Sequence, residues 1–289
     1  MYDQEQAVAF GEQYPEYPPA LAQAAYAARV IAAHPEMGWF GGGSISAQRT
    51  EKDIVGDRCE RLYVGGPDVD LSRLAPPGFT ALEHAPLQKL HRHDALDSTD
   101  IADQLLLHRA RTDTVPASPV AMIHALIPHR CVAHAYPLSC GALGLLSNAQ
   151  SAIATAFDDK AVFLRHPGTT LQLAKAAAET CGRNPDIKAV LVEQGGLITF
   201  GEDARDACVW MLRLAETARA YVREKVGDIA SRVHEENAPE LPAELETTAC
   251  RLLAVIRGVC SSAGRRRYAR INSNRTLREM LTSADLNKL

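Results

Sequence analysis

No two cysteines in this 289-residue chain are spaced Cys-x-x-Cys, and the seven present, at 59, 131, 140, 181, 208, 250 and 260, are odd in number. A zinc knuckle and a complete disulfide framework are thereby excluded, and a reducing, cytoplasmic setting is expected. Basic charge is not in surplus either. Thirty-one Lys and Arg against 35 Asp and Glu give a net charge of −4 and a pI of about 6.2, so no overall positive field exists to hold nucleic acid or an anionic membrane. No stretch of about 18 apolar residues occurs, and the start MYDQEQAVAFGEQYPEYPP has neither a basic opening nor an apolar segment. Secretion and membrane spanning are therefore not expected. Nor is there a Gly-x-Ser-x-Gly elbow, a Walker loop or a dinucleotide fingerprint, which leaves ATP and NAD binding without a local signature.

What is present is a 46% share of hydrophobic side chains over a length that can bury a large core, the mark of a globular protein rather than a disordered or collagen-like one. Pro18-Pro19 stands where a first helical turn tolerates proline, and ALAQAAYAARVIAA behind it predicts a helix ended by Pro35. Gly41-Gly42-Gly43-Ser44-Ile45-Ser46 reads as a permissive loop, Glu60 to Val64 as a strand, and Gly65-Gly66-Pro67-Asp68 as a second loop facing the same cleft. Ser98 to Arg111 predicts a capped helix, Val120 to Ile127 a helix ended by Pro128, and Cys131 to Tyr136 a short buried strand. Helical AQSAIATAF, the strand AVFLRH, the turn Pro167-Gly168 and a helix from Thr170 through Cys181 follow.

Lys188 to Glu193 and Leu197 to Phe200 read as two strands around a tight Gly195-Gly196 turn. After Gly201-Glu202-Asp203 a long helix carries one apolar stripe, Ala204, Ala207, Cys208, Met211, Leu212, Ala215, Ala218 and Val222, expected to pack on the sheet. Past Gly227 the polar, proline-broken HEENAPELPAELE predicts a boundary near residue 232, with a domain over 1–232 and a small helical appendage over 233–289. Within that appendage Gly264-Arg265-Arg266-Arg267, with Arg270, Arg275 and Arg278, reads as a solvated tail or subunit contact, or else as a site for an acidic partner or RNA.

Five segments, GGGSIS, LYVGGPDVDL, ASPVAMIHALIPHRCVAHAY, HPGTTLQLAKA and AVLVEQGGLITFGEDARDA, stand in one order and at compatible spacing. On them the chain resembles the class II aldolase/adducin family, most closely the aldolase half of bifunctional rhamnulose-1-phosphate aldolase/alcohol dehydrogenases. The ending TSADLNKL is similar to the linker before the dehydrogenase in those fusions. The resemblance implies a three-layer α/β/α domain around a largely antiparallel sheet, a cyclic tetramer with sites between subunits, and a divalent metal, usually zinc, held by three histidines. Such an ion polarises the ketone of a sugar phosphate and stabilises the enediolate formed as a carbon–carbon bond breaks, with a Glu as acid/base.

Carried over position by position, the family's His-x-His pair falls on His134-Ala135-Tyr136, its third histidine on Gly195, and its carboxylate on Val120, four residues before His124. The phosphate loops read Gly43-Ser44-Ile45-Ser46 for Gly-Asn-Thr-Ser, and Gly65-Gly66-Pro67-Asp68 for Lys-Gly-Ser-Gly; Pro67 removes an amide donor and Asp68 adds negative charge. One histidine of three is not a zinc site, which needs three or four ligands at about 2.0–2.3 Å. The chain therefore reads as a degenerate class II aldolase-fold protein, a pseudoenzyme or one with a repurposed cleft, with no cofactor expected.

The alternative is a lyase dependent on zinc or another divalent metal, acting on a small sugar phosphate or other carbonyl compound in a remodelled site. For it, Tyr136 and Glu193 are the candidate catalytic residues, Ser44, Ser46, Asp68 and His166 the candidate substrate-binding residues, and His134 the candidate metal ligand. Each has a plainer counterpart: His134 as a satisfied polar residue at a strand end, and Tyr136 as packing. His124 and His129 suit helix packing or capping, and in His91-Arg92-His93 the i, i+2 spacing puts the rings on different helix faces, as on a solvated surface.

The expected partners are a small-molecule ligand and further copies of the chain, without nucleic acid or membrane. Apolar contacts that join subunits are energetically separate from metal ligands, so loss of the ligands leaves a homo-oligomer, most simply a tetramer, as the expectation. Light scattering at micromolar concentration should then return about four times the 31.3 kDa of one chain; the mass of a single chain would rule the assembly out.

Overall fold

A computed structural model describes residues 1–37, 42–65, 70–112 and 114–226. Helices α1 (Gln4–Gly11) and α2 (Pro19–Ala32) lead into strands β1 (Gly43–Lys52), β2 (Arg58–Gly65) and β3 (Phe79–Glu83). Helices α3 (His84–Lys89), α4 (Ser98–Leu107) and α5 (Ala121–Leu126) follow, then β4 (Cys131–Ala135), α6 (Leu138–Gly144), α7 (Ala149–Phe157) and β5 (Ala161–Leu164). The chain continues through α8 (Thr170–Arg183), β6 (Ala189–Val192) and β7 (Gly196–Gly201) to α9 (Ala204–Val226). Among the described residues the strands form a seven-stranded sheet ordered β3-β2-β1-β4-β7-β6-β5. Every neighbouring pair is antiparallel except β5 with β6.

Alternation along the strands sorts side chains between two cores. Ile45, Ala47, Cys131, Ala133, Ala135, Ala189, Leu191 and Leu197 face one side, where α2, α6, α7 and α9 cover them. Leu62, Val64, Leu82, Val132, Val190, Ile198 and Phe200 face the other, under α3, α4, α5 and α8. The result is the three-layer α/β/α arrangement with a largely antiparallel sheet that the resemblance implies. Helix α2 opens with Pro19 in its first turn and buries Ala22, Ala24, Ala25, Ala27 and Ala28, small side chains that let it approach the sheet and α9 closely. On α9 the buried stripe runs through Ala204, Ala207, Cys208, Met211, Ala215 and Ala218, with Leu214 completing it. Leu212 and Val222 are only partly buried, because the 3.6-residue period carries the core-facing line through 211, 214 and 218.

Three expectations need correction. Gly41–Ser46 is not a loop throughout: from Gly43 the chain is strand β1, paired with β2 from Ile45↔Gly65 to Lys52↔Arg58 and with β4 from Gly43↔Ala135 to Ala47↔Cys131. Serine carries little strand preference of its own, and here ladders on both edges supply it. Helix α4 ends at Leu107, short of Arg111, because Arg109 bridges to Leu82 on β3. Its cap is Asp97, whose carboxylate accepts from the amides of Thr99 and Asp100 at 2.8 Å each. Strand β5 stops at Leu164, two residues before His166. The boundary near 232 and the appendage over 233–289, with its arginine cluster, lie outside the described residues. Among the described residues no helix is long and apolar enough to cross a membrane.

The turn from β6 to β7 places both Gln194 (φ 53°) and Gly196 (φ 83°) in the left-handed region. A Cβ at Gly196 would stand 2.5 Å from the Ala135 carbonyl oxygen and 2.8 Å from Cδ1 of Tyr136, so backbone conformation and space both demand glycine. Gly196→Ala should therefore lower stability in urea unfolding by at least about 1–3 kcal/mol. Gly182→Ala, on an exposed stretch of α8 where an added Cβ meets nothing within 4 Å, should be neutral or stabilising by up to about 1 kcal/mol. Equal effects from the two substitutions would refute this account of the turn.

Candidate functional site

Pairing of β1 with β4 sets Ser44 opposite His134 and Ser46 opposite Val132. Both serines are buried and turn toward α5, where the ring of His124 lies between them. Nε2 of His124 is 2.7 Å from the Ser44 hydroxyl and Nδ1 is 2.9 Å from that of Ser46. The Ser46 hydroxyl donates to the Val132 carbonyl at 3.5 Å, so it accepts from Nδ1–H, which leaves Nε2 to accept from Ser44. Burial first, and then neighbouring His134, push the His124 pKa down to about 3, so the ring is neutral at physiological pH. Two strand positions further on, Gln48 donates to His84 Nδ1 at 2.9 Å while His84 Nε2–H donates to the Ala125 carbonyl at 2.8 Å. Sequence reasoning assigned His124 to packing and did not connect it to the serines. The signal was Ser-x-Ser, which puts both hydroxyls on one face once residues 43–52 are known to be a strand.

His134, also buried, closes the end of β4. Its Nε2–H donates to the Gly195 carbonyl at 2.6 Å, and burial holds its pKa below the usual histidine range. The ring of Tyr136 stands 4.9 Å from it, tilted by 50°, and lies against Gly196. Tyr136 is 46% exposed, and partial burial raises its phenol pKa, so it too is neutral. After Pro137, α6 is held at its start by the Glu36 carboxylate, which accepts from the Ser139 amide at 3.0 Å.

The other candidates are placed differently. His166 sits in an exposed loop, its Nδ1 accepting from the Gly168 amide at 3.2 Å. Glu193 lines a depression with Arg165 and Asn148. Among the described residues no hydrogen bond or ring contact joins either to His134. Asp68 lies outside the described residues.

Whether this end of the sheet suits the family's ion is decided by its donors. The resemblance puts the second ligand position on Tyr136 and the third on Gly195, which supplies only backbone, its carbonyl already accepting from His134. A side chain at 195 has no room, since its Cβ would stand 2.5 Å from Cγ1 of Val192. Val120, where the resemblance puts the carboxylate, is an apolar residue leading into α5. Among the described residues no three His, Cys, Asp or Glu converge as a metal-binding group. The residues present do not fit a three-histidine ion.

A family model described as Class II Aldolase and Adducin N-terminal domain matches residues 22–222. The chain is 23% identical over 215 residues to the uncharacterized oxidoreductase YuxG of Bacillus subtilis (strain 168), a match covering 74% of this chain and 31% of that protein. The chain thus spans under a third of the length of this curated relative. Among solved structures it is similar to the N-terminal class II aldolase domain of a conserved protein from Thermoplasma acidophilum, with a TM-score of 0.66 and 21% identity, over 70% of this chain and 93% of that one. A weaker likeness, TM-score 0.45 at 17% identity, covers 71% of this chain and 96% of an L-fuculose-1-phosphate aldolase from Thermus thermophilus.

The buried imidazole has a consequence in solution. A histidine whose pKa falls from 6.5 to about 3 on folding contributes stability that is complete above 6.5 and lost as pH falls through that value toward 3, because the unfolded chain binds the proton first. Near pH 5 this one group should add about 1.4 kcal/mol per pH unit to the slope. His124→Asn should start about 1–3 kcal/mol less stable at pH 7 and lose stability less steeply between pH 6 and 4, as read by urea unfolding. Parallel slopes would mean that His124 takes up its proton in the folded state.

Proposed function

The chain belongs to the class II aldolase and adducin family, and from that premise we propose that metal-dependent aldol chemistry has been lost in it, leaving a protein that is non-catalytic or whose cleft serves another use. The observation that carries this reading is the 2.6 Å bond from His134 Nε2–H to the Gly195 carbonyl. While Nε2 donates there it has no lone pair for an ion, which leaves Nδ1 alone, and the turn facing Nε2 is closed to a ligand side chain by Val192. Neutral Tyr136 and neutral His134 polarise a ketone far less than a divalent cation does, and an enediolate formed beside them would have no counter-charge. The YuxG name belongs to a protein of which this chain spans 31%, and with no dinucleotide fingerprint in the sequence we extend no hydride-transfer role to this chain.

Purified protein, after dialysis without chelator, should hold well under one zinc per chain by mass spectrometry and should not cleave rhamnulose or fuculose phosphates. Stoichiometric zinc together with cleavage of either sugar phosphate would establish the metal-dependent lyase instead.

A further inference from the structure

The parallel pair β5–β6 brings two carboxyl ends to the same edge of the sheet, in the register Leu164↔Val192 and with the Glu193 amide donating to the Leu164 carbonyl at 2.9 Å. The next residue on each chain is charged, Arg165 after β5 and Glu193 after β6, and both line a depression of about 400 Å³ with Phe163, Leu146, Ser147 and Asn148. Opposite charges so close in register would ordinarily pair. Among the described residues neither makes an ion pair, and the side chain of Asn148, which immediately precedes α7, does not cap that helix. The depression therefore presents one free guanidinium, one free carboxylate and an uncommitted amide beside an apolar wall.

We propose that this depression binds a small dipolar molecule, an α-amino acid with an apolar side chain, independently of what has become of the His134 end. The carboxylate would meet the Arg165 guanidinium, which suits it through two parallel N–H donors, and the ammonium would meet Glu193. The apolar side chain would rest on Phe163 and Leu146. A ligand of a single charge gains from one of these groups and is repelled by the other, so the arrangement selects a molecule carrying both. The volume lies within the range of small-molecule sites, roughly 300–1,000 Å³, and the crevice beyond the carboxyl ends of parallel strands is where α/β sheets commonly take ligands.

L-Leucine is the probe. At about 10 mM it should raise the thermal midpoint of the wild type by roughly 2–4 °C, and Arg165→Ala and Glu193→Gln, both at positions that reach solvent, should each abolish the rise while leaving the unliganded midpoint in place. 4-Methylpentanoate, without the ammonium, and 3-methylbutylamine, without the carboxylate, should give no rise. The proposal is overturned by no response to L-leucine, by a response that survives either substitution, or by an equal response to either single-charge compound.

Discussion

Two serine hydroxyls and one imidazole inside the domain constrain almost everything around them. Ser44 and Ser46 occupy β1 positions that face a helix layer otherwise built from Met122, Ile123 and Leu171, and His124 satisfies both hydroxyls at 2.7 and 2.9 Å. Leaving one such group unpaired costs about 1–3 kcal/mol, so α5 must dock in the one register that brings its fourth residue over the two serines. Strand β1 is held in the same way. A slip of one residue would turn Ile45 and Ala47 toward the imidazole and bury both serines against the aliphatic core on the opposite face. With β1 fixed between β2 and β4, His134 is fixed opposite Ser44.

That placement explains why this end of the sheet is polar yet uncharged. Burial disfavours a proton on both His124 and His134, and the neighbouring His134 ring adds to the effect on His124. A pair of neutral rings can be held in place by hydrogen bonds alone. His134 spends its donor on the Gly195 carbonyl, tying the end of β4 to the β6–β7 turn. Tyr136 then covers the space that glycine leaves at 196. Two apolar cores packed against the sheet carry the fold, and fold and chemistry are separable properties.

The exception to antiparallel pairing matters for a different reason. An antiparallel pair sends its two chain ends to opposite edges, whereas β5 and β6 send both to one edge. Arg165 and Glu193, far apart in sequence, thereby become neighbours. Neither is buried, so their charges cost little to keep, and their juxtaposition is a property of topology alone.

Much of this was already legible in the chain as a string of residues. Pro19 before an alanine-rich run, AQSAIATAF, the Gly195-Gly196 turn and the stripe on α9 are local signals, set by propensity, steric demand and periodicity, and each marks an element that the structure contains. The residue types at Tyr136, Gly195 and Val120, on which the resemblance places two imidazoles and a carboxylate, were readable from identity too, because they need no coordinates to be noticed. What could not be read were features that depend on partners distant in sequence. Ser-Ile-Ser became a strand only because β2 and β4 supply ladders on both sides, and His124 became a clamp only once that strand lay beneath it. The destination of the His134 donor and the meeting of Arg165 with Glu193 are likewise set by register. Hydrogen bonds and charges act over a few ångströms in space, and sequence order does not say which residues those few ångströms will join.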